Sequence, residues 1–159
     1  MPKVEIEKPI EAPREKVWNF ISDIEKAPQW VVVMKALVDT TANPVREGAM
    51  YREASKIGPK ESETEWRVTR FEEPHIQIHE CNEPDFTAKL TMRVEKNGDS
   101  SSILYHTTEY QLMPKFRPLG WLVETLFAKR LMRKNLNESA ENCKRLIEEK
   151  ENAQTKKDS

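Results

Sequence analysis

Three residues that can give, take or hold a proton stand at alternate positions in the segment Ser101–Leu112: His106, Thr108 and Tyr110. If Leu104 and Leu112 face an interior, strand periodicity turns these three the same way. By the same logic Ile76 and Ile78 bring Glu80 inward. Trp66 and Val68 bring Thr64 and, one step on, Arg70. A His, a Glu and a Tyr on one cavity wall could perform general acid–base chemistry or orient a bound molecule by hydrogen bonds. His106 and Glu80 are the candidate catalytic pair for such acid–base chemistry. The same groups could instead satisfy one another. A one-residue slip in register would turn each of them outward.

His75, His79 and Cys81 share the other face of their strand by the same period of two. Ile76 and Ile78 as inward residues put those three outside, and structural zinc asks for four ligands at tighter spacing. No metal site and no cofactor are expected. Neither phase of the segment holding Tyr51, Arg52 and Glu53 is clearly apolar, so one of Tyr51 or Arg52 is expected to reach the cavity. Trp18 and Trp30 are expected to pack short helices against the sheet.

These side chains need elements to hold them. Val4–Ile10 reads as a strand that ends near Pro9, and Glu11-Ala12-Pro13 opens a helix with Val17, Trp18 and Ile21 on one face. A second short helix covers Ile24–Ala27 and ends at Pro28. Strands follow at Val31–Val38, Ala49–Ile57, Glu61–Phe71, Ile76–Cys81, Phe86–Val94 and Ser101–Leu112, parted by turn signals such as Gly58-Pro59 and Asn97-Gly98-Asp99. Short turns between consecutive strands predict an antiparallel meander. After a break at 114–118, a helix is predicted from about Leu119 to Glu149, with Leu119, Leu122, Leu126, Leu136, Ala140, Cys143 and Ile147 along one stripe. One domain over 1–150 and a polar, disordered tail over 151–159 are expected.

The chain has 159 residues, within the range of about 100–200 for one domain. Its 26 Lys+Arg against 27 Asp+Glu leave a formal net charge of -1, which argues against a nucleic-acid partner. The longest apolar run, Trp30–Met34, is far short of the roughly 20 residues of a membrane span. The start of the sequence lacks an apolar signal segment, and two cysteines without CxxC spacing suit a reducing, cytoplasmic setting. The basic run Lys129-Arg130-Leu131-Met132-Arg133-Lys134 could touch anionic lipid. Glu141, Glu148, Glu149 and Glu151 follow it, and a solvated face is the expectation, so membrane contact is disfavoured.

The sequence resembles the START-related SRPBCC superfamily, closest to its polyketide cyclase/dehydrase-like branch. The resemblance rests on Ile10–Trp18 with Ser22-Asp23 and Trp30, on Asn43-Pro44-Val45-Arg46-Glu47-Gly48, on Glu65–Pro74, and on Pro118-Leu119-Gly120-Trp121 opening the long helix. It covers roughly residues 4–149. One departure is Asn97-Gly98-Asp99-Ser100-Ser101, where the family often has Gly-Gly-Thr. The resemblance implies an α+β helix-grip fold: a curved antiparallel sheet of about seven strands wrapped round the long C-terminal helix, with two short helices after strand 1. It carries no catalytic motif shared by all members. The function it implies is binding of a small hydrophobic molecule (a lipid, polyketide or aromatic compound) between sheet and helix, by a monomer or homodimer. The alternative is a cyclase, aromatase or dehydratase using His106 and Glu80. The expected walls are Phe86, Ala88, Leu90, Met92, Leu104, Leu119, Leu122, Val123 and Leu126, with Glu80, His106 and Tyr110 as polar anchors.

Overall fold

The computed structural model describes residues 2–112 and 118–158, with side chains of 118–125 outside the description. The elements run β1 (Lys3–Ile10), α1 (Arg14–Ser22), a 3₁₀ turn (Ile24–Lys26), α2 (Ala27–Trp30), β2 (Met34–Thr40), β3 (Met50–Ile57), β4 (Lys60–Glu72), β5 (Ile76–Glu83), β6 (Phe86–Lys96), β7 (Ser102–Leu112) and α3 (Pro118–Asp158). The seven strands form one antiparallel sheet in the order β1-β7-β6-β5-β4-β3-β2. This is the helix-grip architecture, as the element order implies.

Two helix boundaries differ from the sequence reading for local reasons, and β2 starts at Met34 rather than Val31. Pro28 does not end a helix; it lies in the first turn of α2, where its missing N–H would have had no partner. The final helix does not stop near Glu149 but continues to Asp158. The Lys16–Glu151 ion pair at 2.7 Å ties that extension back to α1.

The strands alternate faces, and the pairing aligns the inward residues into rows across the sheet. One row runs Tyr51, Trp66, Cys81, Ala88, Tyr110. The next runs Val68, His79, Leu90, Thr108, Val4. A third runs Gln77, Met92, His106, Ile6. Gly98, at φ 92, makes the left-handed turn that joins β6 to β7.

Leu136, Ala140, Cys143 and Ile147 form the buried stripe of α3, spaced by four, three and four residues. They join two apolar clusters. Leu136 and Ala140 pack with Val4, Ile6, Tyr51 and Trp66, whereas Cys143 and Ile147 pack with Ile10, Trp18, Trp30 and Leu104. Each fully buried aliphatic side chain contributes about 1.5–3 kcal/mol, so this stripe is what holds the helix down. Polar clamps add register: Ser139 Oγ accepts from the Val32 N–H at 2.9 Å, and Lys8 pairs with Glu141 at 2.7 Å. The nearest backbone neighbours of α3 are β1, α1 and α2. No described helix is long and apolar enough to cross a membrane.

Candidate functional site: the inner face of the sheet

β7 presents His106, Thr108 and Tyr110 inward in succession, all buried, as the alternation predicts. Trp30 of α2 comes within 6.4 Å of the His106 ring, centroid to centroid. Both ring nitrogens of His106, Thr108 Oγ1, the Tyr110 hydroxyl, and the indole nitrogens of Trp30 and Trp66 are buried without a hydrogen-bond partner. Folded proteins leave few such groups, because each costs about 1–3 kcal/mol. These six atoms gather on the inner face of the sheet and on the α2 tryptophan that approaches it.

Beside them lies a satisfied network. The Tyr51 hydroxyl and His79 Nδ1 are 2.8 Å apart, His79 Nε2 and Gln77 Oε1 are 2.9 Å apart, and Gln77 Nε2 donates to Ser22 Oγ at 3.0 Å. The Gln77 amide orientation fixes the rest. Its oxygen accepts from His79 Nε2–H, so Nδ1 is the acceptor and the Tyr51 O–H donates to it. The chain leads from the sheet interior to α1. Ser22 also lines a groove of about 450 Å³ between α1, the β2–β3 connection and the β4–β5 turn, together with Trp18, Asn19, Asn43, Arg46 and Phe71.

This network overturns the expected phase of β5. Gln77, His79 and Cys81 face inward; Ile76 and Ile78 are half-buried on the outer side, and Glu80 is exposed there. Glu80 lies between Arg67 and Lys89 in the strand pairing, where opposite charges favour it. It is therefore neither a cavity anchor nor a catalytic partner for His106. Arg70 is likewise outside, because a register shift between Val68 and Arg70 flips the phase and turns Phe71 toward the core. Of the Tyr51/Arg52 alternatives, Tyr51 faces inward, whereas Arg52 pairs outside with Asp39 and Glu63.

Ala88, Met92 and Leu104 are buried, with Phe86 and Leu90 half-buried, on the expected face. Leu119, Leu122 and Val123 lie in α3, but their side chains are outside the described residues. Leu126 is 66% exposed and is no wall. It precedes Leu136 by ten residues, which at about 100° per residue leaves it roughly 80° off the buried stripe. Lys129, Arg130, Arg133 and Lys134 are exposed along the same stretch.

Burial sets the protonation states. It drives His79 down to about 3, helped by the neighbouring His106, and drives His106 down to about 4. Both imidazoles are thus neutral near pH 7. Glu53, on the inner face of β3, moves the other way, raised by burial to about 7. Cys81 and Cys143 are pushed up to about 12 by burial and remain free thiols.

The linkage has opposite signs for these groups. Between their folded values and about 6.5, the unfolded chain protonates histidines that the folded chain keeps neutral. Acidification below about pH 6.5 therefore withdraws stability, at about 1.4 kcal/mol per pH unit for each histidine. The Glu53 carboxyl opposes this: its contribution is present below about 4.5 and is lost as pH rises through 7. Two groups outweigh one. The apo protein should lose stability from pH 6 to pH 5, and His106→Leu should flatten the slope. Urea unfolding at the two pH values reads this directly, and an identical slope in the variant would refute it.

A family model described as polyketide cyclase / dehydrase and lipid transport matches residues 1–148. The chain belongs to that family. Its fold recurs in solved structures. The TTHA0849 protein from Thermus thermophilus is 21% identical with TM-score 0.76, covering 92% of this chain and 97% of that one. A START superfamily protein from Mycobacterium smegmatis is 16% identical with TM-score 0.74, over 92% and 97%. A norcoclaurine synthase point mutant from Thalictrum flavum, in complex with a transition-state analogue, is 15% identical with TM-score 0.70, over 94% and 96%. At these identities the likeness is one of fold. No curated protein matches the sequence. Membership of this family suggests ligand binding, and the site residues must be judged on their own geometry.

Proposed function

We propose that this protein binds a small hydrophobic molecule carrying hydrogen-bonding groups, between the inner face of the sheet and α3, as a carrier or sensor. One observation carries the reading: the unpartnered buried polar atoms of Trp30, Trp66, His106, Thr108 and Tyr110 on a surface otherwise built from Ala88, Leu90 and Met92. An apolar pocket with a few converging polar groups is the usual form of a small-molecule site. The free, buried thiols of Cys81 and Cys143 fit a reducing, cytoplasmic setting. Cyclase or dehydratase chemistry through a His106–Glu80 pair has no support, since the two side chains lie on opposite faces.

Native mass spectrometry of gently purified protein, followed by extraction of any bound compound, tests the reading. A retained lipid, polyketide or aromatic compound supports it. Thr108→Val and Tyr110→Phe then separate binding from packing. Each removes a polar atom that has no protein partner, so the apo fold should keep its stability or gain slightly. Affinity for the extracted compound should fall by roughly threefold to tenfold for each hydrogen bond lost. Variants that lose stability by more than about 1 kcal/mol yet bind normally would show that these groups serve the fold alone.

A further inference from the structure

Glu53 narrows the chemistry of that ligand. It projects from the inner face of β3, is only 7% exposed, and has Tyr51 two positions away and Thr64 directly opposite. The strand pairing places it in the row next to Tyr51, Trp66 and Cys81, and its charge helps raise the Tyr51 hydroxyl and the Cys81 thiol. The neighbouring donor is the Trp66 indole N–H, which favours the charged carboxylate but falls short of a hydrogen bond. No Lys or Arg is buried among the described residues, so none of them offers this acid a buried cation. A lone carboxylate removed from water is one of the most costly groups a fold can carry. The arginines of the same strand region are spent outside, Arg52 on Asp39 and Glu63.

We propose that Glu53 anchors a cationic nitrogen: the ligand is a hydrophobic amine whose ammonium group sits against the carboxylate while its apolar body lies along Trp66 and Ala88 toward Tyr110. The proposal rests on the cavity reading above and adds a charge preference to it. A protonated amine supplies both a counter-charge and N–H donors to the carboxylate. An anionic ligand such as a fatty-acid carboxylate would meet like charge, with no buried cation among the described residues to offset it. Glu53 leaves the rest of the wall free to do what its neutral donors and acceptors can do, which is to orient the ligand.

Calorimetric titration at pH 8 with octylamine, octan-1-ol and sodium octanoate tests this. Octylamine is expected to bind about tenfold to a hundredfold more tightly than octan-1-ol, the increment of a charge-assisted hydrogen bond, with octanoate weakest. Glu53→Gln keeps the side-chain volume and should abolish the amine's advantage. Glu53→Leu should reverse the order in favour of the alcohol. Equal binding of amine and alcohol by the native protein, or an amine preference that persists in Glu53→Gln, overturns the assignment and leaves the cavity reading intact. Failure of all three probes to bind overturns both.

Discussion

His79→Ala should lower the free energy of unfolding by about 3–5 kcal/mol, a large share of the roughly 5–15 kcal/mol that holds a domain together. The imidazole is 2% exposed and stands between two groups that have no other partner in its absence, the Tyr51 hydroxyl and Gln77 Oε1. Each would be left buried and unsatisfied at about 1–3 kcal/mol, and the vacated volume adds to the loss. The asymmetry of hydrogen bonding supplies a control. The double variant Tyr51→Phe/His79→Leu removes polar groups from both sides of one bond and fills the space, so it should be more stable than His79→Ala despite carrying two changes. Urea unfolding of the three proteins measures this. A loss below about 1 kcal/mol in His79→Ala would mean that the network is not holding the sheet to α1.

Trp18→Ala should be comparably severe, at about 3–5 kcal/mol, for an apolar reason. Trp18 is 1% exposed, and its ring lies 5.0 Å from that of Phe71 with the planes inclined at 54°. Such an aromatic pair adds about 0.5–1.5 kcal/mol to the burial of area. The cluster around it draws on every layer: Ile10 from β1, Val17 and Ile21 from α1, Met92 and Val94 from β6, Leu104 from β7, and Cys143 and Ile147 from α3. Removing the indole therefore loosens α3 as well as α1. In a protein of this size the melting temperature should fall by roughly 10–15 °C, and Trp18→Phe should recover part of it. A melting temperature within about 2 °C of the parent would place the cluster's strength elsewhere.

The sequence disclosed the sheet where polarity and burial agreed. In β6, Ala88, Met92 and Val94 alternate with Thr87, Arg93 and Glu95, so strand, face and register could all be read. β7 was legible for the same reason, with Leu104 fixing the phase for His106, Thr108 and Tyr110. β5 was misread because its two apolar residues, Ile76 and Ile78, lie on the outer face. Its inward phase is won by Gln77 and His79, whose partners, Ser22 and Tyr51, are 55 and 28 residues away. No local pattern carries that information. The shift after Val68 is likewise invisible to a strict period of two, and it displaced Arg70 in favour of Phe71. Glu53 went unassigned because a charged residue reads as exposed unless its neighbours settle the phase, and Tyr51 and Ser55 settle it only in the folded sheet.

The strand order also governs when α3 can settle on the sheet. From β2 to β7 each strand pairs with its successor, so those ladders can close over short distances in the chain. β1 pairs instead with β7, Lys3 opposite Glu109, and α3 is clamped to β1 by the Lys8–Glu141 pair. Closing that span carries a loop-entropy cost that the hairpins do not. A chain that has formed its meander but not yet recovered its first strand has an open sheet face. On the proposed reading, ligand binding is thus tied to contacts between the first strand and the last helix, and a bound molecule would act by keeping those two segments together.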